Sequence, residues 1–116
     1  MTRGWLLLIA IGVAVAVWLL RPSTRHRVGS ENAHELVRDG ARLVDVRTRE
    51  EYRAGHLPGA VNIPVQELGS RVDELEPRGT PIVVYCRSGR RSATARAQLV
   101  RAGFTNVHDL GPMSAW

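Results

Sequence analysis

The chain has 116 residues, enough for one compact domain and one short appended segment. Apolar residues make up 44% and charged residues 23%, which favours a globular chain over a disordered one. The single cysteine excludes internal disulfides and multi-cysteine metal sites. The net charge of +5 comes mainly from residues 1–27, which hold four arginines and no acid, so the nearly neutral remainder predicts no nucleic-acid partner.

Residues 4–20 form an uncharged apolar run with tryptophans near both ends. As a helix this run is about 25 Å long, at the short end of the spanning range, and the tryptophans resemble an interfacial aromatic belt. We therefore predict one transmembrane anchor within residues 1–21, which contacts the membrane through residues 4–20. A cleaved signal peptide is the alternative, with Ala-Val-Ala at 14–16 as its cleavage site, although that site lies inside the apolar run.

Residues 22–29 have the proline, serine, glycine and arginine content of a short basic linker. Arg21, Arg25 and Arg27 follow the apolar run, whereas only Arg3 precedes it. The positive-inside rule therefore predicts a single-pass protein with its C-terminal domain in the cytoplasm. If the segment is instead a signal peptide, the domain is exported after cleavage.

Residues 30–116 alternate short apolar runs with helical segments, which is typical of a parallel sheet with crossover helices. Ser30 is predicted to cap a helix that ends near Gly40, and Gly103 to end the last helix. The predicted strands are 43–46, 60–63 and 81–85, and the further helical segments are 49–54, 65–75 and 92–102.

The segment 86–92, here called the cysteine loop, joins the best strand to the best helix. Ligands of open α/β sheets bind where strands end and helices begin, and three arginines with a helix N-terminus favour the reactive thiolate of Cys86. Gly89 allows a positive φ that turns loop amides toward one anion. A small buried hydrophobic role for Cys86 is the alternative. The candidate site residues are Cys86, Arg87, Ser88, Gly89, Arg90, Arg91 and Ser92.

Several motifs in order resemble those of rhodanese domains over residues 30–116. They are 43–47 (LVDVR), 50–52 (EEY), 55–60 (GHLPGA), 62–64 (NIP), the cysteine loop (CRSGRRS) and 113–116 (MSAW). The resemblance implies a rhodanese-like three-layer α/β/α fold with a mainly parallel central sheet, here preceded by the transmembrane helix. It also implies a sulfurtransferase that moves a sulfane sulfur through a cysteine persulfide. Gly111-Pro112 departs from the two glycines that the family often has there.

By this resemblance Cys86 is the nucleophile, and the backbone amides of residues 87–92 hold its persulfide. Arg87 and Arg91 are candidates to bind an anionic donor such as thiosulfate, and Asp45 and Arg47 organise the site. No cofactor is implied. Because the chain has no second cysteine, the acceptor is expected to be an external thiol, cyanide or a protein.

Two other functions share this fold. Phosphatases and arsenate reductases of rhodanese-like fold use a loop one residue longer, with arginine six positions after the cysteine, whereas this chain has Arg91 at five and Ser92 at six. A membrane-anchored binding or sulfur-carrier module without steady turnover is the second rival, and the presence of Cys86 argues against it.

The remaining polar residues carry weaker signals. His56 lies in a turn-rich segment and is expected to be structural, and His34 and His108 have no partners at metal-ligand spacing, so no metal is predicted. Glu50 and Glu51 are expected to form a solvated helix face.

Overall fold

The computed structural model describes residues 2–19 and 27–116 of the chain. Helices and strands alternate along residues 30–116, as the sequence predicts, and short 3-10 turns occupy Leu68–Ser70, Val72–Leu75 and Met113–Ala115. The helices are α1 (Thr2–Leu19), α2 (Ser30–Arg38), α3 (Arg49–Ala54) and α4 (Arg90–Arg101), and the strands are β1 (Arg42–Asp45), β2 (Val61–Asn62), β3 (Ile82–Cys86) and β4 (Val107–Pro112).

The four strands form one parallel sheet in the order β2-β1-β3-β4, which confirms the predicted parallel architecture. Asp45 at the end of β1 pairs with Tyr85 of β3, and the next residue of β3 is Cys86. The register between β3 and β4 shifts after Val84, so that Tyr85 lies opposite Gly111. Parallel strands end at the same edge of a sheet, and this edge therefore collects Asp45, Cys86 and Gly111.

Side chains pack on both faces of the sheet and give the predicted three layers. One face of β3 buries Val84 against Leu99 of α4, and the other buries Val83 in the cluster that includes Ala33 of α2. All five residues of β3 are buried, because a central parallel strand is covered on both faces.

Three local features differ from the sequence predictions. Ser30 is the first residue of α2 and does not cap it, since Gly29 occupies the cap position and the Ser30 hydroxyl donates to the carbonyl oxygen of Trp116. Helix α4 begins at Arg90, two residues earlier than predicted, because Gly89 supplies the left-handed turn that starts it. Strand β4 is not among the predicted strands. It contains the polar residues His108 and Asp109 and ends in Gly-Pro, so its sequence lacks the apolar pattern that predicts a strand.

The apolar N-terminal run forms α1, an 18-residue helix of about 27 Å. Across residues 2–19 and 27–116, no helix combines the length and the apolar character needed to cross a membrane. The transmembrane helix predicted within residues 1–21 is therefore not found among the described residues 2–19. Most of the predicted linker, residues 22–26, lies outside the described residues, whereas Arg27 at its end pairs with Asp109 of β4 through a parallel bridge.

Candidate active site

Cys86 lies at the carboxyl end of β3, directly before the turn into α4, as the sequence predicts. Its side chain is fully buried. The Gly89 N–H donates to Cys86 Sγ at 2.9 Å, and Sγ lies 3.4 Å from Ser92 Oγ. The sulfur is therefore held at the centre of the cysteine loop by a backbone donor and a buried hydroxyl.

The backbone of the cysteine loop is shaped by Gly89, which adopts the predicted left-handed conformation with φ of +96°. Ser92 Oγ donates to the Gly89 carbonyl, and Ala93 N–H donates to the same carbonyl as the first hydrogen bond of the helix. The N–H groups of Arg90, Arg91 and Ser92 precede that bond and have no acceptor within the helix. Such amides, together with the helix dipole, attract anions to the first turn of a helix.

The loop arginines differ in what they contact. Arg91 forms a bidentate ion pair with Glu51 of α3, with Nη1 to Oε1 at 2.6 Å and Nη2 to Oε2 at 3.0 Å. Arg87 and Arg90 are exposed to solvent. The expectation that Glu51 belongs to a solvated helix face is therefore wrong, because this carboxylate is drawn to Arg91, whereas Glu50 is exposed as expected.

The Glu51–Arg91 pair changes the titration of both groups. The hydrogen bond from Arg91 lowers the pKa of Glu51 to about 2, outweighing the opposite effect of burial. The pKa of Arg91 is raised, first by the hydrogen bond to Glu51 and to a smaller degree by the charge of Cys86. The side-chain hydrogen bonds of Arg91 go to Glu51.

Asp45 and Arg47 form a buried network at the end of the neighbouring strand. The Asp45 carboxylate accepts from the backbone N–H of Arg47 at 2.9 Å and from its Nη2 at 2.6 Å. The Tyr85 hydroxyl donates to Asp45 Oδ2 at 2.8 Å and accepts from the Leu57 N–H at 3.0 Å. Arg47 Nη2 also donates to the Gly55 carbonyl at 2.7 Å, so the network ties β1 to the turn after α3.

Electrostatics explain why this network is stable in a buried place. The hydrogen bond to Asp45 is the largest cause of the raised pKa of Arg47, and burial raises the pKa of Tyr85. Arg47 therefore stays charged and Tyr85 keeps its proton. In these protonation states both side chains donate hydrogen bonds to the carboxylate oxygens of Asp45. These groups fix the strand end next to Cys86.

The histidines take part in separate local contacts. His56 stacks on the Tyr52 ring at 3.7 Å with its Nδ1 at 2.8 Å from the Tyr52 carbonyl oxygen, which agrees with a structural role. His34 lies against the Trp116 ring, and His108 contacts Asn106. Over residues 2–19 and 27–116, no group of three or more His, Cys, Asp or Glu side chains is arranged to hold a metal ion.

Two contributors to the site escaped sequence reasoning. The sequence predicts only a buried strand for Tyr85, yet a buried tyrosine needs a partner for its hydroxyl, and this signal points to a nearby acceptor such as Asp45. Asn62 belongs to a predicted strand and to the NIP motif, but the sequence predicts no role for its side chain. Its Nδ2 donates to the carbonyl oxygens of Asp45 and Arg47, and backbone acceptors have no sequence signal.

Comparisons with known proteins agree with this fold. The family profile described as "Rhodanese-like domain" matches residues 30–116. Thiosulfate sulfurtransferase 16, chloroplastic, of Arabidopsis thaliana is 42% identical over 96 residues, covering 72% of this chain and 80% of the plant protein. The human single-domain sulfurtransferase TSTD1 superposes with a TM-score of 0.67 at 30% identity, covering 78% of this chain and 91% of the human one. A rhodanese from E. coli solved with anions superposes with a TM-score of 0.63 at 32% identity, covering 66% and 92%.

Proposed function

This chain belongs to the rhodanese-like domain family and is a rhodanese-type sulfurtransferase, and we propose that it transfers sulfane sulfur through a persulfide on Cys86. The donor is a small anion such as thiosulfate. The acceptor is an external thiol, cyanide or a partner protein, because the chain has no second cysteine that could discharge the persulfide internally.

The first half of the reaction loads Cys86. The Cys86 thiolate attacks the outer sulfur of thiosulfate, an Sγ–S bond forms, and the S–S bond of the donor breaks with its electron pair leaving on sulfite. The second half discharges the enzyme. A thiolate or cyanide attacks the outer sulfur of the persulfide, the Sγ–S bond breaks, and Cys86 returns to the thiolate.

One observation carries this proposal, namely the position of Cys86 Sγ inside the cysteine loop. The sulfur accepts the Gly89 N–H, and the free amides of the first turn of α4 lie on the same side of the sheet edge. Such amides stabilise the negative charge that an outer persulfide sulfur carries. We assign the backbone of residues 87–92 to holding the persulfide, Arg87 and Arg91 to the anionic donor, and Asp45 with Arg47 to positioning the strand end.

The experiment follows the sulfur directly. The full-length protein is incubated with thiosulfate and the peptide that contains Cys86 is examined by mass spectrometry, where we expect a gain of about 32 Da for one sulfur atom. Subsequent cyanide should remove the added mass and release thiocyanate over many cycles. If the persulfide forms but cyanide and thiols do not turn it over, the protein is the sulfur-carrier module without steady turnover. No added sulfur on Cys86 would overturn both functions.

We further propose that the apolar N-terminal run, residues 4–20, attaches the domain to a membrane and that the domain lies on the cytoplasmic side. The support is the exposure of apolar side chains along α1, such as Trp5, Leu8 and Ile9, together with the arginines at 21, 25 and 27 that follow it. The full-length protein should stay with the membrane fraction through high-salt and carbonate washes. A mature protein shortened by about 16 to 25 residues and recovered without membranes would establish the cleaved signal peptide instead.

A further inference from the structure

Two glycines next to Cys86 face the side chain of Arg27. Gly89 belongs to the cysteine loop, and Gly111 lies opposite Tyr85 on the neighbouring strand. Both have positive φ, +96° and +83°, and both are buried. A Cβ atom on Gly111 would lie 3.0 Å from Arg27 Cζ, and one on Gly89 would overlap Arg27 Nη2. The Arg27 guanidinium therefore lies across the two glycines, and only residues without a Cβ leave room for it.

The backbone of Arg27 is held in place by the sheet. Arg27 forms a parallel bridge with Asp109, and the Val28 N–H donates to the Asp109 carbonyl at 2.8 Å, so this short segment runs along β4. The Asp109 carboxylate accepts the Gly111 N–H at 2.8 Å. Within residues 2–19 and 27–116, Arg27 forms no salt bridge, whereas the charges of Arg47 and Arg91 are each matched by a carboxylate.

The position of Arg27 suits a ligand of Cys86. Since Gly89 N lies 2.9 Å from Cys86 Sγ, the covalent geometry of Gly89 limits the separation of Arg27 Nη2 from Sγ to about 8 Å at most. An S–S bond of about 2 Å and a charged hydrogen bond of about 2.8 Å let a small oxyanion of sulfur contact the guanidinium while its outer sulfur reaches Sγ.

We propose that Arg27 is a specificity-determining residue that binds the oxyanion end of the sulfur donor. This assignment of Arg27 rests on the proposed sulfur transfer at Cys86, and it identifies the donor class as a small sulfur oxyanion. The guanidinium attracts the donor and binds its oxyanion end before the S–S bond breaks. The segment between α1 and the domain thus contributes a substrate-binding side chain.

Alkylation of Cys86 by two reagents of matched shape tests this proposal independently of turnover. Iodoacetate is an anion and iodoacetamide is neutral, and Cys86 is the only thiol that can react. Any change in the thiolate fraction or accessibility of Cys86 alters both rates alike and cancels in their ratio. The ratio of the iodoacetate rate to the iodoacetamide rate should fall about fivefold in Arg27→Gln. The reason is that one positive charge, at most about 8 Å from Cys86 Sγ in a partly aqueous medium, is lost.

Arg101→Gln is the matched control, because Arg101 is an exposed arginine at the opposite end of α4, about 16 Å along the helix axis from Arg90. Its rate ratio should equal that of the unmodified protein, and Arg27→Lys should retain part of the preference for the anion. Equal slowing of both reagents in Arg27→Gln, or no change in the ratio, overturns the assignment of Arg27.

Steady-state kinetics with thiosulfate distinguish a failure of the Arg27 assignment from a failure of the sulfur transfer on which it rests. With thiosulfate as donor, Arg27→Gln should raise KM about fivefold with a smaller effect on kcat, while the Cys86 persulfide still forms at saturating donor. If the persulfide never forms in the unmodified protein but the alkylation ratio changes as expected, Arg27 binds anions at Cys86 and sulfur transfer is the part that fails.

Discussion

Replacing Asp45 by Asn tests the buried network beside Cys86. The substitution keeps the shape of the side chain but removes its charge and turns one acceptor into a donor. Arg47 Nη2, now 2.6 Å from Asp45 Oδ2, then faces either a neutral oxygen or another donor. The side chain of Arg47 is only 7% exposed and that of Asp45 is fully buried, so water cannot replace the lost carboxylate.

The expected cost follows from leaving a buried charge unpaired. Breaking a buried ion pair by changing one partner costs about 3 to 5 kcal/mol, and the retained acceptor oxygen places the cost of Asp45→Asn at about 3 kcal/mol. This is a large share of the roughly 5 to 15 kcal/mol by which a domain is stable. If Arg47 is also replaced by Met, the unpaired charge is removed, so the double variant should recover about 2 kcal/mol relative to the sum of the single changes.

Urea unfolding of the full-length protein, followed by circular dichroism, measures these free energies for the three variants and the unmodified protein. Glu74→Gln is the control, because it makes the same chemical change in a surface pair with Arg71, where Glu74 is 52% exposed, and should cost no more than about 0.5 kcal/mol. A cost below about 1 kcal/mol for Asp45→Asn, or simple additivity with Arg47→Met, would refute the view that the network acts as one electrostatic unit.

Cys86→Ser should abolish persulfide formation and thiocyanate release with the urea midpoint little changed, because one reactive atom is exchanged for a similar one; retained turnover contradicts the assigned nucleophile. Glu51→Gln should flatten the stability profile between pH 4.5 and about 2, because a carboxylate with a lowered pKa stabilises the fold above its ordinary pKa and loses this effect as acid protonates it. An unchanged profile in urea titrations across that range contradicts the pairing with Arg91. Tyr85→Phe should cost about 1 to 3 kcal/mol in urea unfolding, since the Leu57 N–H loses its acceptor; a neutral effect would show that water satisfies this N–H.

Much of the fold follows from local sequence patterns. The apolar run of β3 and the helical segment after it predict a strand and a helix joined by the cysteine loop, and the structure has both. Gly89 was expected to adopt a positive φ, and it does, because only glycine takes that conformation without steric cost. The sequence does not predict strand β4, because Val107–Pro112 is polar and broken by glycine and proline, and its strand character comes from pairing with β3.

The sequence by itself determined the order of elements, the parallel sheet and the position of Cys86 at a strand end, because spacing and residue type act over a few neighbours. Tertiary structure alone decided the partners of the charged groups. Arg91 and Glu51 are 40 residues apart in sequence and meet in an ion pair. Arg27 reaches the glycines of two other segments only because its backbone pairs with β4. Long charged side chains take partners from whatever elements the fold brings near, and no local pattern encodes that choice.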